Sequence, residues 1–513
     1  MLNRTTSPLT LFQGFRPVRL GLASCSLAAL LSAGCVRPEP LSDDAVISRV
    51  GTDLVSMYTD QAPVSGPIGL NEAIARALKY NLDKSLKTME RELVDARLAS
   101  VQMSMLPQMA AKAGWRGRNT LRGSSSRSLI TGNQSLEVST SEDLQIRTTD
   151  LHVIWNVLDF GLTYFRSRQE ADQVLIAEER RMKTIQNLIQ DVRDAYWRAV
   201  AADRLAPEVK KTLRMVDLAI ARSSQVTEAG IADPGDELKL QHTLLVHKRE
   251  MTEVRRKMAL AKGELAALMN LAPGTPFELA TSRRLDLKPL HIGGDPQDLA
   301  KAALANRPEL REEDYKGRIA DVELKMVYVR LLPGIELSRG NNYDSNSFLN
   351  DARWIDAGAF ATKNLMDLVA APRNIAFAEK NIAVADQRRL ALSMAIVTQV
   401  HLALQKLAVA NEVLAVTSKL LRVDARISEI AATAATKDGG SMIEAVQAQS
   451  QRVVTQLQHF VAYADVQNAY GRVQNSVGVY RIAPGIESLA LGDLTAQVGI
   501  LLGEWRTAGV VQP

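Results

Sequence analysis

The chain carries its own pattern twice, and that duplication limits the folds open to it more than any other feature. Residues 77–107 align without gaps on residues 303–333 at an offset of 226, matching Asp95 with Asp321, Leu98 with Leu324 and Leu106-Pro107 with Leu332-Pro333. Asn156-Val157-Leu158-Asp159 then meets Asn364-Leu365-Met366-Asp367 at an offset of 208, with Val192 on Val400. A third block places Val254 on Phe460 and Leu271 on Val477 at an offset of 206. Identities are sparse, yet three collinear blocks are hard to obtain by chance from Ala/Leu-rich helices. The drop from 226 to 208 means that the first half carries 18 extra residues between Pro107 and Asn156. Insertions settle in exposed loops. The Ser/Thr/Gly/Asn-rich segment from Asn119 to Glu142 is therefore read as a surface loop longer than its partner near Asn341 to Arg353.

Each half reads helix, strand, loop, strand, long helix, turn, helix. The first helix spans about Leu70–Leu106 and its counterpart about Pro296–Leu332, each stopped by proline. Ala111, Ala113 and Trp115 alternate with Lys112, Arg116 and Arg118, and Leu151, Val153 and Trp155 alternate with Asp150, His152, Ile154 and Asn156. Period two with one apolar and one largely polar face predicts strands at about 108–118 and 144–158. The second half repeats them at about 334–343 and 353–363, through Ile335, Leu337, Ile355, Ala357, Ala359 and Ala361.

The intervening helices are long: Gly161 to Glu228, broken only by Pro207, and Pro372 to Thr436, with its proline at the first position, where proline is welcome. At ~1.5 Å per residue each reaches on the order of 100 Å. The helices after the turns carry stripes spaced by fours and threes: Leu240, Leu244, His247, Met251, Val254, Met258, Ala261, Leu265, Leu268, and Ile443, Val446, Ser450, Val453, Leu457, Phe460, Ala464. That is the heptad signature of side-by-side helix packing. A helix of such length cannot wrap one globular core and must lie against equally long neighbours. Low aromatic content, 5% against 46% hydrophobic overall, suits helices packed through small residues.

The formal charge of +5 does not speak for nucleic acid. Arg4, Arg16 and Arg19 lie in the first 34 residues without an acid, so the rest carries only about +2, too little for a phosphate-binding face. Arg16 and Arg19 precede the apolar run Leu20–Gly34, which is too short to span a bilayer. It ends in Leu31-Ser32-Ala33-Gly34-Cys35, which resembles a bacterial lipobox. Residues 1–34 then form a lipoprotein signal peptide, with Cys35 taking covalent lipid as the new N-terminus. Leu22-Ala23-Ser24-Cys25 also fits, but only about five apolar residues separate it from Arg19, too few for the signal core. A plain secretory signal with two incidental cysteines is the alternative. With Cys25 removed and Cys35 acylated no free thiol is left, so disulfides and thiol chemistry fall away together. Two or three acyl chains anchor stably where one does not.

The duplicated order, with Leu106-Pro107, Trp155 to Gly161 (WNVLDFG), Gly230 before the turn and Leu332-Pro333, resembles the TolC-type outer membrane efflux protein family from about Gly69 to Gly485. The resemblance implies a mainly α fold with membrane β-strands: a tandem-repeat TolC-like α-helical barrel and a transmembrane β-barrel shared by a homotrimer, four strands per chain. It divides the chain into a lipid-anchored linker at 35–68, repeats at 69–295 and 296–485, tip turns at 229–236 and 436–441, and a C-terminal segment at 486–513. It implies an outer membrane duct of a tripartite efflux or type I-like secretion system in a Gram-negative envelope, working with a periplasmic adaptor and an inner-membrane pump. Val36 after the cysteine, rather than Asp, implies sorting to the outer membrane. Four strands cannot close a membrane barrel, so chains that use them in hydrocarbon must share them.

Gly230, Asp233, Asp236, Asp438, Gly439 and Glu444 are the candidate adaptor-facing or gating tip, with helix capping as the competing role for the acids. Lys112, Arg116, Arg118, His152 and Asn156 are candidates for the barrel lumen, or else solvated loop flanks. Trp115, Trp155, Trp354, Tyr343 and Phe360 fall in or beside the strands, which favours a channel over a lipid-anchored periplasmic coiled-coil scaffold without a pore. No phosphate loop, dinucleotide fingerprint, nucleophile elbow or zincin motif occurs, so neither an enzyme nor a cofactor beyond the lipid is expected. The six histidines are scattered, and His242 and His247 point to different helix faces, against a metal site. His247 is read as a packing residue or a polar contact inside the bundle, and Glu312-Glu313-Asp314 as a solvated helix face rather than a catalytic pair.

Overall fold

The computed structural model describes residues 40–135, 137–228, 233–280, 287–437, 442–480, 482 and 485–507. It divides into two units, Met1–Thr59 and Asp60–Pro513. The described part of the first is chiefly one helix, α1 (Asp43–Ser56), capped where the Ser42 side chain accepts from the Ala45 amide at 3.3 Å.

The second unit contains α2 (Leu70–Tyr80), α3 (Leu82–Met103), β1 (Gln108–Gly117), β2 (Gly123–Ser124), β3 (Ser139–Thr140), β4 (Gln145–Asn156), α4 (Val157–Glu228) and α5 (Pro234–Leu268). The pattern then recurs as α6 (Pro296–Asn306), α7 (Pro308–Val329), β5 (Gly334–Asp344), β6 (Arg353–Thr362), α8 (Leu365–Lys437) and α9 (Met442–Val477), with α10 (Leu491–Thr507) closing the chain. The strand bounds follow the period-two reading closely. The 18-residue insertion is the exposed ribbon β2–β3 and its flanks. The partner loop is shorter than expected, because β5 runs on through Asn341 to Asp344.

The structure corrects three helix readings. Each opening helix is two helices, broken at Asn81 (ψ 125°) and at Arg307 (ψ 127°). Both breaks are local: Asn81 turns its side chain to accept from the Lys84 amide at 3.1 Å, and Arg307 precedes Pro308, which disfavours the helical region for it. Second, α8 begins at Leu365, so Pro372 lies in its interior; Pro207 likewise sits inside an unbroken α4. A 72-residue helix held by neighbours along its length tolerates one missing N–H bond. Third, the last repeat block is offset by 208, not 206. The left-handed caps are Asn270 (φ 57°) and Gly478 (φ 78°), and the amide of the next residue, Leu271 or Val479, reaches back to Ala266 or Gln474. At Gly478 a Cβ would also press on the Asn306 backbone at 3.0 Å. The sparse apolar matches slipped by half a turn where the capping geometry does not.

The repeat extends to side-chain detail. Asn156 Oδ1 accepts from the Leu158 and Asp159 amides at 3.0 and 3.2 Å, and Asn364 Oδ1 accepts from Met366 at 3.1 Å. Both cap a helix of more than 70 residues directly after a strand. Replacing either by Ala should cost about 1 kcal/mol, read as a lower unfolding midpoint with the fold retained.

Nearest the sheet, helices pack side by side in the order α3–α4–α7–α8; towards the turns the order is α5–α4–α9–α8. Two apolar cores mark the two halves. One joins α2, the middle of α4, the end of α5, Tyr480 and α10; the other joins α6, α8 and α9. Trp197 packs on both and meets Tyr463 edge-on at 5.2 Å. The α5 stripe is inside as expected, with Leu244, Met251 and Leu265 at 0% exposure. His247 only partly shares this packing, since its Nδ1 lies 3.3 Å from Glu250 Oε2.

Between α4 and its neighbours α3 and α7 much of the seam is ionic. Arg97 pairs with Glu170, Asp172 with Arg318, Glu179 with Arg311, Arg180 with Glu312 and Lys183 with Glu309. The acidic run 312–314 is thus part of a stitch rather than a solvated face: Glu312 also takes Lys316 at 2.8 Å, and Asp314 lies 3.9 Å from Arg389 of α8. Burial works against the Glu312 charge, but Arg180 and Lys316 outweigh it and hold the carboxyl below its ordinary range.

Candidate channel wall and helix tips

All four long strands form one antiparallel sheet in the order β1–β4–β5–β6, leaving β1 and β6 as unpaired edges. Direct cross-strand partners share a face, so the register sorts every side chain. One face carries the rungs Ala111–Leu151–Asn341–Ile355, Met109–Val153–Arg339–Ala357 and Trp155–Leu337–Ala359. The other carries Lys112–Asp150–Asn342–Trp354, Ala110–His152–Gly340–Asp356 and Asn156–Glu336–Phe360. The first is apolar apart from Arg339, Asn341 and the loop-end positions; the second is mostly polar.

Lys112, Arg116, His152 and Asn156 therefore lie on one face, and Arg118, whose amide bonds the Leu144 carbonyl at 2.9 Å, continues it beyond the strand. Arg118 Nη2 lies 3.8 Å from Glu142, so it belongs to the loop base. Asn156 shares that face, and its side-chain oxygen also caps the start of α4, accepting from Leu158 and Asp159. Asp150, Glu336, Asn342 and Asp356 were not singled out, although they face the same way. The pairing supplies them: in sequence they alternate with apolar neighbours as Lys112 does, but their partners lie on other strands. At Gly340 a Cβ would collide with the His152 ring and the Asp356 carboxylate, so glycine is what lets these two lie across the strand. Asn342 Nδ2 donates to Asp356 at 3.0 Å.

The register also divides the aromatics. Trp115, Tyr343 and Trp155 are on the apolar face, whereas Trp354 and Phe360 are on the polar one. Trp115 sits opposite Arg147, eight residues along β4 from Trp155, which is about 27 Å of strand. On a strand tilted by about 35–45° that length projects to roughly 20 Å, a little less than the apolar band of a membrane barrel, on the order of 25 Å. The two loops beyond the sheet are clasped: the Ser347 amide donates to Asp143 at 2.6 Å, and the Asp143 amide to Asn346 Oδ1 at 3.1 Å.

At the far end, Gly230, Asp438 and Gly439 lie outside the described residues, as does the side chain of Asp236. Asp233 is an N-cap, its Oδ1 accepting from the Gly235 amide at 2.8 Å. Glu444 is an exposed residue in the first turn of α9. Above the turns, the α8–α9 seam is polar: Thr417 faces His459 at 3.4 Å, Thr455 donates to Asp424 at 2.5 Å and Ser428 to Gln449 at 2.9 Å. Burial lowers the His459 pKa, favouring the neutral ring there.

The edges of the helical layer are unusual for a single protomer. Along α8, Leu402, Val409, Val413, Val416, Leu420, Val423, Ile427 and Ile430 are all exposed and spaced by threes, fours and sevens. On the opposite edge Leu86, Met89 and Leu93 of α3 and Leu238, Leu245 and Leu260 of α5 are exposed as well. By length and composition α8 also passes for a membrane span, but a 73-residue helix far exceeds the ~20 residues that a bilayer needs.

No family model and no curated protein matches the sequence. Solved structures do. The Campylobacter jejuni CmeC outer membrane channel aligns with TM-score 0.63 over 93% of this chain and 98% of its own, at 14% identity. The outer membrane channel OprN aligns with TM-score 0.60 over 80% and 89%, at 16% identity. The open state of the Neisseria gonorrhoeae MtrE outer membrane channel gives 0.60 over 82% and 94%, at 15% identity. Duplication, sheet order and helical layer together give this chain the fold of the TolC-like outer membrane channels.

Proposed function

We propose that three copies of the chain assemble into an outer membrane duct of a tripartite efflux or secretion system, serving transport rather than catalysis. The observation that carries this is the agreement of the edges: β1, α3 and α5 lie on one side of the protomer and β6 and α8 on the other. Unpaired strands and exposed apolar stripes on opposite sides make a heterologous interface, which closes into a ring when the rotation allows. Closure pairs β6 of each copy with β1 of the next, giving a twelve-stranded barrel without edges from four strands per chain. The apolar face then meets lipid between its Trp rungs. Arg339 lies two residues from the Leu337–Trp155 rung, near the interface, where an arginine costs only about 0–1 kcal/mol.

The polar face lines the water-filled lumen with Lys112, Arg116, His152, Asp150, Glu336 and Asp356, repeated threefold. The turns between α4 and α5 and between α8 and α9 form the periplasmic end, where an adaptor and an inner-membrane pump dock. Cys35 carries the lipid that holds the N-terminus at the membrane. Channels with this fold support the reading; a pore-free scaffold would have no use for a sheet with an apolar face between aromatic rungs.

In detergent the mature protein should run as a trimer and open ion-conducting pores in planar bilayers; a monomer without conductance would refute the duct. Neutralising Asp150 and Asp356 together should move the reversal potential in a salt gradient towards anion preference, and no shift would remove these residues from the lumen. Palmitate labelling should vanish in Cys35→Ala and persist in Cys25→Ala, whereas the reverse result would transfer the anchor to Cys25.

A further inference from the structure

Arg193 is a charge with no ion pair among the described residues. It sits in the middle of α4 with 3% of its surface exposed. Its Nη1 donates to Gln474 Oε1 at 2.9 Å and to the Tyr480 hydroxyl at 2.8 Å, and Tyr480 in turn donates to Gln474 at 2.8 Å. Nε has no hydrogen-bond partner among the described residues, and no bond from Nη2 is found there either. The guanidinium lies against Gly471, with the Tyr470 ring 5.9 Å away. None of these neighbours is a carboxylate. Tyr480 does not supply the charge, since burial pushes its hydroxyl above its ordinary range and keeps it protonated. A buried cation surrounded by neutral groups is strongly disfavoured unless something compensates it.

Arg193 also forms part of the wall of a cavity of about 160 Å³. The remaining lining is Leu70 and Asn71 at the start of α2, Gln474, and Gly499, Leu502 and Gly503 of α10. The two glycines, four apart on α10, leave its flank bare where it meets α2. Asn71 and Gln474 add amide groups, and Leu70 and Leu502 apolar surface. A volume of this order holds a handful of heavy atoms.

We propose that this cavity is a binding site for a small oxyanion, of carboxylate or phosphate size, seated on Arg193. The anion completes the charge balance inside the body and fastens α10 to α2 and α4. This concerns how each protomer is held together, and it stands or falls apart from the duct.

The test uses the full-length protein in detergent, with thermal unfolding followed by circular dichroism. Phosphate, acetate or citrate is titrated at ionic strength fixed with gluconate; citrate and gluconate exceed the cavity. Phosphate or acetate should raise the melting midpoint by several degrees and saturate, as binding to the native state requires, while citrate should not. A response to phosphate alone would mark a tetrahedral ligand, and one to acetate alone a carboxylate. Arg193→Gln retains a donor for Gln474 and Tyr480 and should lose the response; Arg193→Lys should keep part of it. A flat wild-type response to both small anions overturns the proposal, whether or not the variants fold. So does an unchanged response in Arg193→Gln.

Discussion

A chain carrying Val416→Asp and Val423→Asp should leave detergent extraction as a monomer and conduct no ions. Both valines are exposed in the protomer, on the outer flank of α8, within an apolar stripe that extends from Leu402 to Ile430. In the proposed trimer, closing the ring would bury that stripe against α3 and α5 of the next copy. Two carboxylates there must either be desolvated without a partner or hold the helices apart, and an unpaired buried charge costs roughly 3–5 kcal/mol. In a trimer the penalty would recur at three interfaces, so it should act on assembly far more than on the protomer. Helicity of the variant should match the wild type, because neither valine supports the protomer's own core. A double variant that still migrates as a trimer would show that α8 does not form the contact between copies.

What sequence reading captures in this fold is what repeats at short range. Alternation within ten residues set the four strands and their faces, and Lys112, Arg116 and His152 share a face because parity alone decides it. The Leu-Pro pairs marked the helix-to-strand junctions in both halves. The breaks at Asn81 and Arg307 were missed although their signals were present, an N-capping Asn and a residue before proline, because the apolar stripe continues across them. The offset of 206 was wrong for a related reason: apolar matches recur every three or four residues and tolerate a slip, whereas a left-handed cap does not. Asn156 shows a different limit. Its place in the alternation made it a candidate for the barrel lumen or a loop flank, and did not show that its side-chain oxygen also takes up two backbone amides at the start of α4. Arg193 with Tyr480 lay beyond reach, since 287 positions separate them and neither belongs to a motif.

The same distance hides the contact that should matter most for the protomer's stability. Glu487, just before α10, takes Lys84 of α3 and Arg181 of α4, both at 3.1 Å, and Arg181 is held from its other side by Glu178 at 2.8 Å. The Lys84 and Arg181 side chains are only 6% and 3% exposed, so their charges depend on these carboxylates. At Lys84 burial wins over Glu487 and lowers the pKa. At Glu487 burial raises it, but its own backbone amide, Lys84 and Arg181 together pull the carboxyl below its ordinary range. Glu487→Gln keeps the shape and strands Lys84, so it should cost on the order of 3 kcal/mol and release α10 first, seen as faster proteolysis of the C-terminus. The sign of the pH dependence follows from the depressed carboxyl. Its contribution is full above the unfolded value of about 4.3 and fades as pH falls towards and through the lower folded value. Wild type and Glu487→Gln should therefore differ most near neutral pH and converge in acid. A gap between them that stayed constant down to the acid transition would mean that the carboxylate charge contributes nothing and that Glu487 only fills space.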